Sequence, residues 1–451
     1  EALDGWLIKS ENYQTLKTIL PKFKSKVQTI YIDPPFNKEQ DADYHYSVKY
    51  KDATWITLLE NRLRLARELL KDTGSIFVRC DYNGNMFVRL LMNEIFGEEN
   101  FRNEIVVGRT KKIFLGVRGF NVAIDSILFF SKSEDFLFNH IYKKRDTKQK
   151  WLNMHSPGER RPPERVIFGV TYYPPKGRHW TFTQETIDRL VQEGRVRINE
   201  RIQYVDMLGN PVKGMPQYLL SNEELLDSNW SDISGYSFNW HLPTENSEAL
   251  LKRVIQSISN EGDIVMDFFL GSGTTCAVAH KLKRKWIGVE MGEHFWTVAL
   301  PRMKKVLAYD NLGISKEKDV EEKYNENKAG GFFKYYELEQ YEETLANTIY
   351  EDCGVSSEDI FTFKSKTLYE QYAFMKDEKM LKTLEIDYEN NKIKVDLNKI
   401  YENIDIAETL SNLTGKWIKQ IKDGKVIFED GSVVDTKSLD YKLIKPLIWW
   451  E

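Results

Sequence analysis

Cysteine is scarce: Cys80, Cys276 and Cys353 are widely spaced, odd in number and form no CxxC pair. That excludes a disulfide framework and a zinc ribbon, and fits a reducing cytoplasm. Proline and glycine are also few, 13 and 26 in 451 residues, which excludes a collagen-like or largely disordered chain. No apolar run approaches the roughly 18 residues of a membrane span. The seven histidines show neither HxxxH nor HExxH spacing, so no metal site is expected. The first residue is Glu1, with no charged-then-apolar leader, and no secretory signal is expected.

What is present is an ordinary globular composition, 41% hydrophobic and 29% charged, long enough for two to four domains at roughly 150 residues each. The net charge of −4 is unevenly spread: −1 over 1–100, +9 over 101–216, −3 over 217–311 and −9 over 312–451. A basic island followed by an acidic tail points to a polyanionic partner for the middle of the chain.

Apolar periodicity predicts a helical stretch over 7–20, a strand at Val27–Asp33 stopped by Pro34 and Pro35, and a helix over Thr54–Leu70. Gly74 should break that helix, ahead of a strand at Ser75–Cys80 and a helix at Met86–Phe96. From about residue 100 short β-like runs (Ile105–Val107, Ile127–Phe130) alternate with basic, aromatic and proline-rich loops. Regular patterning returns with a helix at Ala249–Ile258, a strand at Asp263–Phe269, a helix at Thr274–Lys281 and a strand at Trp286–Met291. Strand–helix–strand order on both sides of an insertion predicts an α/β fold with a doubly wound, mostly parallel sheet. The expected organisation is a core half at 1–100, an insertion at 101–240, a second core half at 241–311, a polar linker at 312–329 and a C-terminal α+β domain at 330–451.

Three motifs carry chemistry. Asp33-Pro34-Pro35-Phe36 ends a strand, where open parallel sheets bind ligands. Its carboxylate can accept from an amino group, its prolines stiffen the turn, and its ring can stack on a base. Asp267-Phe268-Phe269-Leu270-Gly271-Ser272-Gly273-Thr274-Thr275 joins a strand to a helix. The glycines permit a tight turn and close ligand approach, and the helix N-terminus favours a carboxylate. No Lys follows the glycines, so this is not a Walker loop, and Cys276 replaces the third glycine of a dinucleotide fingerprint. Glu290, 17 residues after Gly273 at the next strand end, is placed to hold ribose hydroxyls. The last two together describe a nucleoside site without a phosphate cradle, and adenosine joined to an amino acid, S-adenosylmethionine, fits it. Among other candidates, Lys143, Lys144, Arg145, Lys148 and Lys150 form a basic run, Lys111-Lys112 and Arg118 flank apolar residues, and Trp180, Tyr172 and Tyr173 are equally core-like and DNA-facing.

These motifs, in this order and separated by a long insertion, resemble β-class DNA amino-methyltransferases. Leu7–Leu16, Trp55–Leu70, Phe96–Ile105, Thr244–Ile255 and Gly330–Tyr341 are similar to modification subunits of type III restriction–modification systems. The resemblance implies a Rossmann-like methyltransferase sheet, a target-recognition insertion and adenine-N6 methylation of duplex DNA. It puts Asp33 and Phe36 on the base, and Asp267, Phe269, Gly271, Gly273, Thr274 and Glu290 on the cofactor. Lys111, Lys112, Arg118, Lys143, Lys144 and Arg145 are the expected DNA contacts. Double-stranded DNA, a separate helicase–nuclease restriction subunit and a second copy of the chain are the implied partners, in the cytoplasm. Many relatives have Lys-Pro where this chain has Asn246-Ser247, which passes the Lys role at the methionine carboxylate to Thr244, Ser272 or backbone amides. Cytosine-N4 methylation and a non-catalytic recognition module are the rival expectations. Asp rather than Ser in the first motif position favours adenine over cytosine.

Overall fold

The computed structural model describes residues 3–35, 52–109, 118–145, 149–240, 242, 245–338, 384–387, 392–395, 404–437 and 439. These residues divide into two compact units: His140–Asp227, and the remainder.

The larger unit is built on one nine-stranded sheet. Its strands are β1 (Leu3–Lys9), β2 (Val27–Ile32), β3 (Leu70–Cys80), β4 (Phe101–Gly108), β5 (Ile124–Ser131), β6 (Asn229–Ser234), β7 (Ile264–Asp267), β8 (Lys285–Glu290) and β9 (Phe332–Glu337). Their spatial order is β6-β4-β5-β3-β2-β7-β8-β1-β9. Every pairing is parallel except those of β5 with β3 and β4. Helices α1 (Asn12–Phe23), α2 (Asp52–Leu69) and α3 (Asn85–Phe96) pack side by side, as do α4 (Glu248–Ile258), α5 (Thr274–Lys281) and α6 (Leu300–Leu307). Alternate residues of a strand point to opposite faces. Ile30, Ile32, Ile76 and Val78 thus join the core beneath the first three helices, while Tyr31 and Phe77 are buried facing away from it. The doubly wound α/β architecture expected from the sequence is present.

Three local expectations differ. The stretch 7–20 is not one helix: Leu7 and Ile8 are wholly buried in β1, between β8 and β9, and α1 starts only at Asn12, capped by the Glu11 carboxylate. Helix α2 runs into β3 with no break at Gly74, which lies within the strand, where an added Cβ would stand 3.0 Å from the Val27 carbonyl. The 312–329 stretch holds a 3-10 turn and a short helix, because Ile314, Val320 and Tyr324 are buried. Beyond residue 330, β9 extends the central sheet along β1. Helix α7 (Ile406–Thr414) packs on α1, with Lys22 and Lys334 both paired to Glu408 at 2.9 and 2.6 Å, and Trp417 lies against Trp6 and Phe23.

The smaller unit has its own core of Met154, Ile167, Trp180, Ile187, Leu190, Val196 and Met215, around a long hairpin of Val196–Val205 and Pro211–Leu219. Trp180 is therefore a core residue. The insertion expected over 101–240 contributes β4, β5 and β6 to the central sheet, and only His140–Asp227 stands apart from it.

Candidate active site

The chain leaves β2 through α2 for β3 on one side, and leaves β7 through α5 for β8 on the other. The carboxyl ends of the adjacent strands β2 and β7 therefore flank a topological switch point, the crevice where open α/β sheets bind ligands. Asp33 follows β2 and Asp267 ends β7, so two of the three motifs meet there by topology.

Asp33 is 12% exposed at its side chain. Its Oδ2 accepts a hydrogen bond from Asn246 Nδ2 at 2.9 Å, and Arg79 Nη1 stands 4.0 Å away. Burial pushes its carboxyl up to about 6, against the opposing pull of Arg79 and the Asn246 hydrogen bond. The turn is anchored by the Trp55 indole, which donates to the Pro35 carbonyl at 2.8 Å. Pro34 is buried, and Phe36 lies outside the described residues.

Asp267 is held by its own loop. Phe269 N donates to Oδ1 at 2.9 Å and Thr275 Oγ1 to Oδ2 at 2.5 Å. Burial raises this carboxyl to about 7. Gly271 and Gly273 both have left-handed backbones, with φ 56° and 84°. A Cβ at Gly271 would meet nothing within 4 Å, so open space lies against the loop there. Glu290 accepts from Gly271 N at 2.8 Å and Gly292 N at 2.7 Å, one bond to each oxygen. His294 Nε2 also stands 3.2 Å from Oε2, the oxygen that takes Gly271 N, so the lone pair left to accept a ribose hydroxyl is on Oε1. Ser272 Oγ lies 2.9 Å from Thr274 Oγ1, and the wholly buried Arg302 reaches both from beneath, at 3.2 and 2.8 Å. Thr244 lies outside the described residues.

Sequence reasoning missed Arg79, Asp125, Tyr236 and Arg302, and noted Asn246 only as a departure. Arg79 Nη2 donates to Asp125 Oδ2 at 2.8 Å, both side chains being wholly buried. Tyr236 stacks under the guanidinium at 4.0 Å and donates to the same oxygen at 3.0 Å. A legible signal existed: a lone Arg in S-I-F-V-R-C and a lone Asp in I-D-S-I-L-F-F are charges inside buried-type strands.

The expected DNA contacts are scattered. Lys111 and Lys112 fall outside the described residues, and Arg118 is exposed. In the smaller unit Tyr142–Lys144 pairs with Glu223–Leu225, and Glu224 faces Lys143 at 3.6 Å and Arg145 at 2.8 Å, while Lys144 is exposed. Among the described residues no His, Cys, Asp and Glu group has metal-binding arrangement, and no helix is long and apolar enough to cross a membrane.

The chain belongs to the DNA methylase family, whose model matches residues 27–300 and so takes in both strand ends and the glycine loop. Its relatives include the probable type III restriction-modification enzyme HindVI Mod subunit of Haemophilus influenzae, 28% identical over 89% of this chain and 64% of that protein. The type II methyltransferase M.EcaI of Enterobacter cloacae is 29% identical over 64% of this chain and 67% of that protein. The type III enzyme StyLTI Mod subunit of Salmonella typhimurium is 28% identical over 59% of this chain and 48% of that protein. The chain thus spans between about half and two thirds of the length of these relatives. Two of the three are modification subunits by name, the type that the sequence segments resemble.

Proposed function

We propose that the chain transfers a methyl group from S-adenosylmethionine to N6 of an adenine flipped out of duplex DNA, as the modification subunit of a type III restriction–modification system. One observation carries this reading: a largely buried carboxylate, Asp33, follows β2 at the switch point of the sheet, next to the strand β7 that leads into the glycine loop.

The residues present fit the cofactor. Open space beside Gly271, the helix N-terminus at Thr274 and the acid pair Asp267 and Glu290 match an amino acid joined to a nucleoside. Glu290 takes a ribose hydroxyl, and Ser272, Thr274 and the loop amides take the carboxylate. Arg302 beneath the loop fixes both hydroxyl side chains, part of the task left open by Asn246. When bound, the cofactor supplies an electrophilic methyl group on a sulfonium.

Asp33 accepts from the amino group of the target base, which localises the nitrogen lone pair toward the methyl group. Phe36 stacks on the base, and the Pro34 carbonyl is a second acceptor. Extrusion costs a few kcal/mol, recovered through stacking and these hydrogen bonds. Placement supplies much of the rate, with no covalent enzyme intermediate. The unit His140–Asp227 selects the target sequence, with Lys144 among its phosphate contacts, and Arg118 is a phosphate contact of the larger unit. The relatives' names, Mod subunits of restriction-modification enzymes, support a separate restriction subunit as partner. A homodimer is part of the same reading.

The test is methyl transfer from labelled S-adenosylmethionine to duplex DNA, followed by base-resolution mapping. N6-methyladenine at a fixed sequence is expected. N4-methylcytosine overturns the role given to Asp33, and no incorporation with intact DNA binding leaves a recognition module.

A further inference from the structure

Asn246 was the one place where the sequence departed from the pattern it otherwise matched, and the structure puts it against Asp33. Its amide orientation is fixed by chemistry. Oδ1 receives the Tyr31 hydroxyl at 2.9 Å and Arg79 Nη1 at 2.5 Å, and the guanidinium, which can only donate, is a group the NH2 end cannot face. The opposite end, Nδ2, must then point at Asp33 Oδ2, 2.9 Å away. Arg79 is itself immobile: Nη1 also donates to the Gly235 carbonyl at 2.9 Å, and Nη2 is locked on Asp125. The Asn246 backbone is pinned as well, by a bridge to Tyr236 and by Ser247 N on the Gly235 carbonyl at 3.2 Å. At 4.0 Å Arg79 is too far to hydrogen-bond Asp33; it acts on it directly by charge and, by hydrogen bond, only through Asn246.

We propose that Asn246 is a positioning residue for Asp33: it occupies Oδ2, held in register by Arg79 and Tyr31, and leaves Oδ1 to accept the amino proton of the target base. This rests on the proposed reaction. The hydrogen bond also favours the charged carboxylate, which the transfer needs, in a site where burial opposes it. The other charged and titratable groups facing Asp33 are Arg79, Cys80, Arg109 and Asp125 from β3–β5 and their ends, Tyr31 from β2, Tyr236, and Asp267 from β7. Substitution at Asn246 leaves all of them in the chain, and takes one hydrogen-bond acceptor from Arg79 and Tyr31.

Two variants separate positioning from folding. Asn246→Leu and Asn246→Ala both remove the donor and the acceptor without adding a charge, the first keeping the side-chain volume and the second leaving it open. Two readouts are followed against pH: the 13C resonance of the Asp33 carboxyl, assigned with Asp33→Asn, and the single-turnover methylation rate at saturating S-adenosylmethionine. In the parent both midpoints should fall near 6. In both variants they should rise by about one pH unit, with the rate at pH 8 down about tenfold or more and cofactor affinity within about twofold. Unmoved midpoints, or moved midpoints with the parent rate, overturn the proposal; if Asn246→Leu does not fold, Asn246→Ala decides. A parent that transfers no methyl group, yet whose Asp33 midpoint rises in the variants, sinks the methylation reading and keeps Asn246 as the group that sets the carboxylate.

Discussion

Asp33 and Asp267 end neighbouring parallel strands, and burial raises both carboxyls, to about 6 and about 7. They are held by opposite means. Asp267 is satisfied by Phe269 and Thr275, two and eight residues along the same loop. Asp33 depends on Asn246, 213 residues away, which depends in turn on Arg79, Asp125 and Tyr236. The difference teaches where each half of the site is vulnerable. The glycine loop fails through its own backbone, and Asp33 fails through charges buried one and two strands away.

The comparison breaks most severely at Arg79. Arg79→Leu strips Asp125 of its buried partner, a loss of about 3–5 kcal/mol of stability. Chemical denaturation should show that loss, and the equivalent change at the exposed Arg118 should show none; equal effects would dismiss the buried network. Asp33→Ala comes next. It removes a charged acceptor worth about 1.5–3 kcal/mol, so single-turnover transfer should fall at least about tenfold while calorimetry finds cofactor affinity nearly intact.

The pH dependence has the same origin. Because burial raises both carboxyls, the folded chain binds these protons more tightly than the unfolded chain. Their contribution to stability is full below the ordinary carboxylate range and is lost as pH rises through about 6 and about 7. Activity runs the other way: the rate should drop roughly tenfold per unit as pH falls below about 6, since a proton turns one Asp33 oxygen into a donor and removes the charge that makes the other a strong acceptor. A rate flat down to pH 5 would remove Asp33 from the reaction.

Gly273→Val reverses the outcome of Asp33→Ala. A β-branched residue at φ 84° is strained by about 1–3 kcal/mol, and the loop must shift, so cofactor binding should disappear first. Normal calorimetric binding by this variant would mean that the loop is not the cofactor site. The smallest effect is expected in the other unit. Glu224 already pairs Lys143 and Arg145, so changing Lys143, Lys144 and Arg145 together to Ala should lower the salt slope of DNA binding by about one rather than three. A change near three would show that DNA displaces Glu224.

The same contrast between local and distant partners explains what was legible. The glycine loop, its helix at Thr274–Lys281 and the strand ends at Asp33, Asp267 and Glu290 were readable because each is a contiguous pattern of turn residues and apolar periodicity. β1 was misread as helix because Leu7 and Ile8 owe their strand conformation to β8 and β9, some 280 and 330 residues on. The acidic stretch beyond 330 reads as separate by its charge and by its position after the motifs, while β9 and Glu408 are tied to β1 and Lys22.

By itself the sequence determined the strand–loop–helix units, the residues that end their strands, and the order of motifs that marks the family. Backbone sterics and hydrophobic period act over a few residues, and a single chain displays them directly. Tertiary structure alone decided that β2 and β7 lie side by side, and that Arg79 and Asp125 share one buried cluster. It also turned Asn246 from a missing lysine into the partner of Asp33. Those outcomes follow from burying charge at low dielectric, where a group must find its complement wherever the fold brings one, at any distance along the chain.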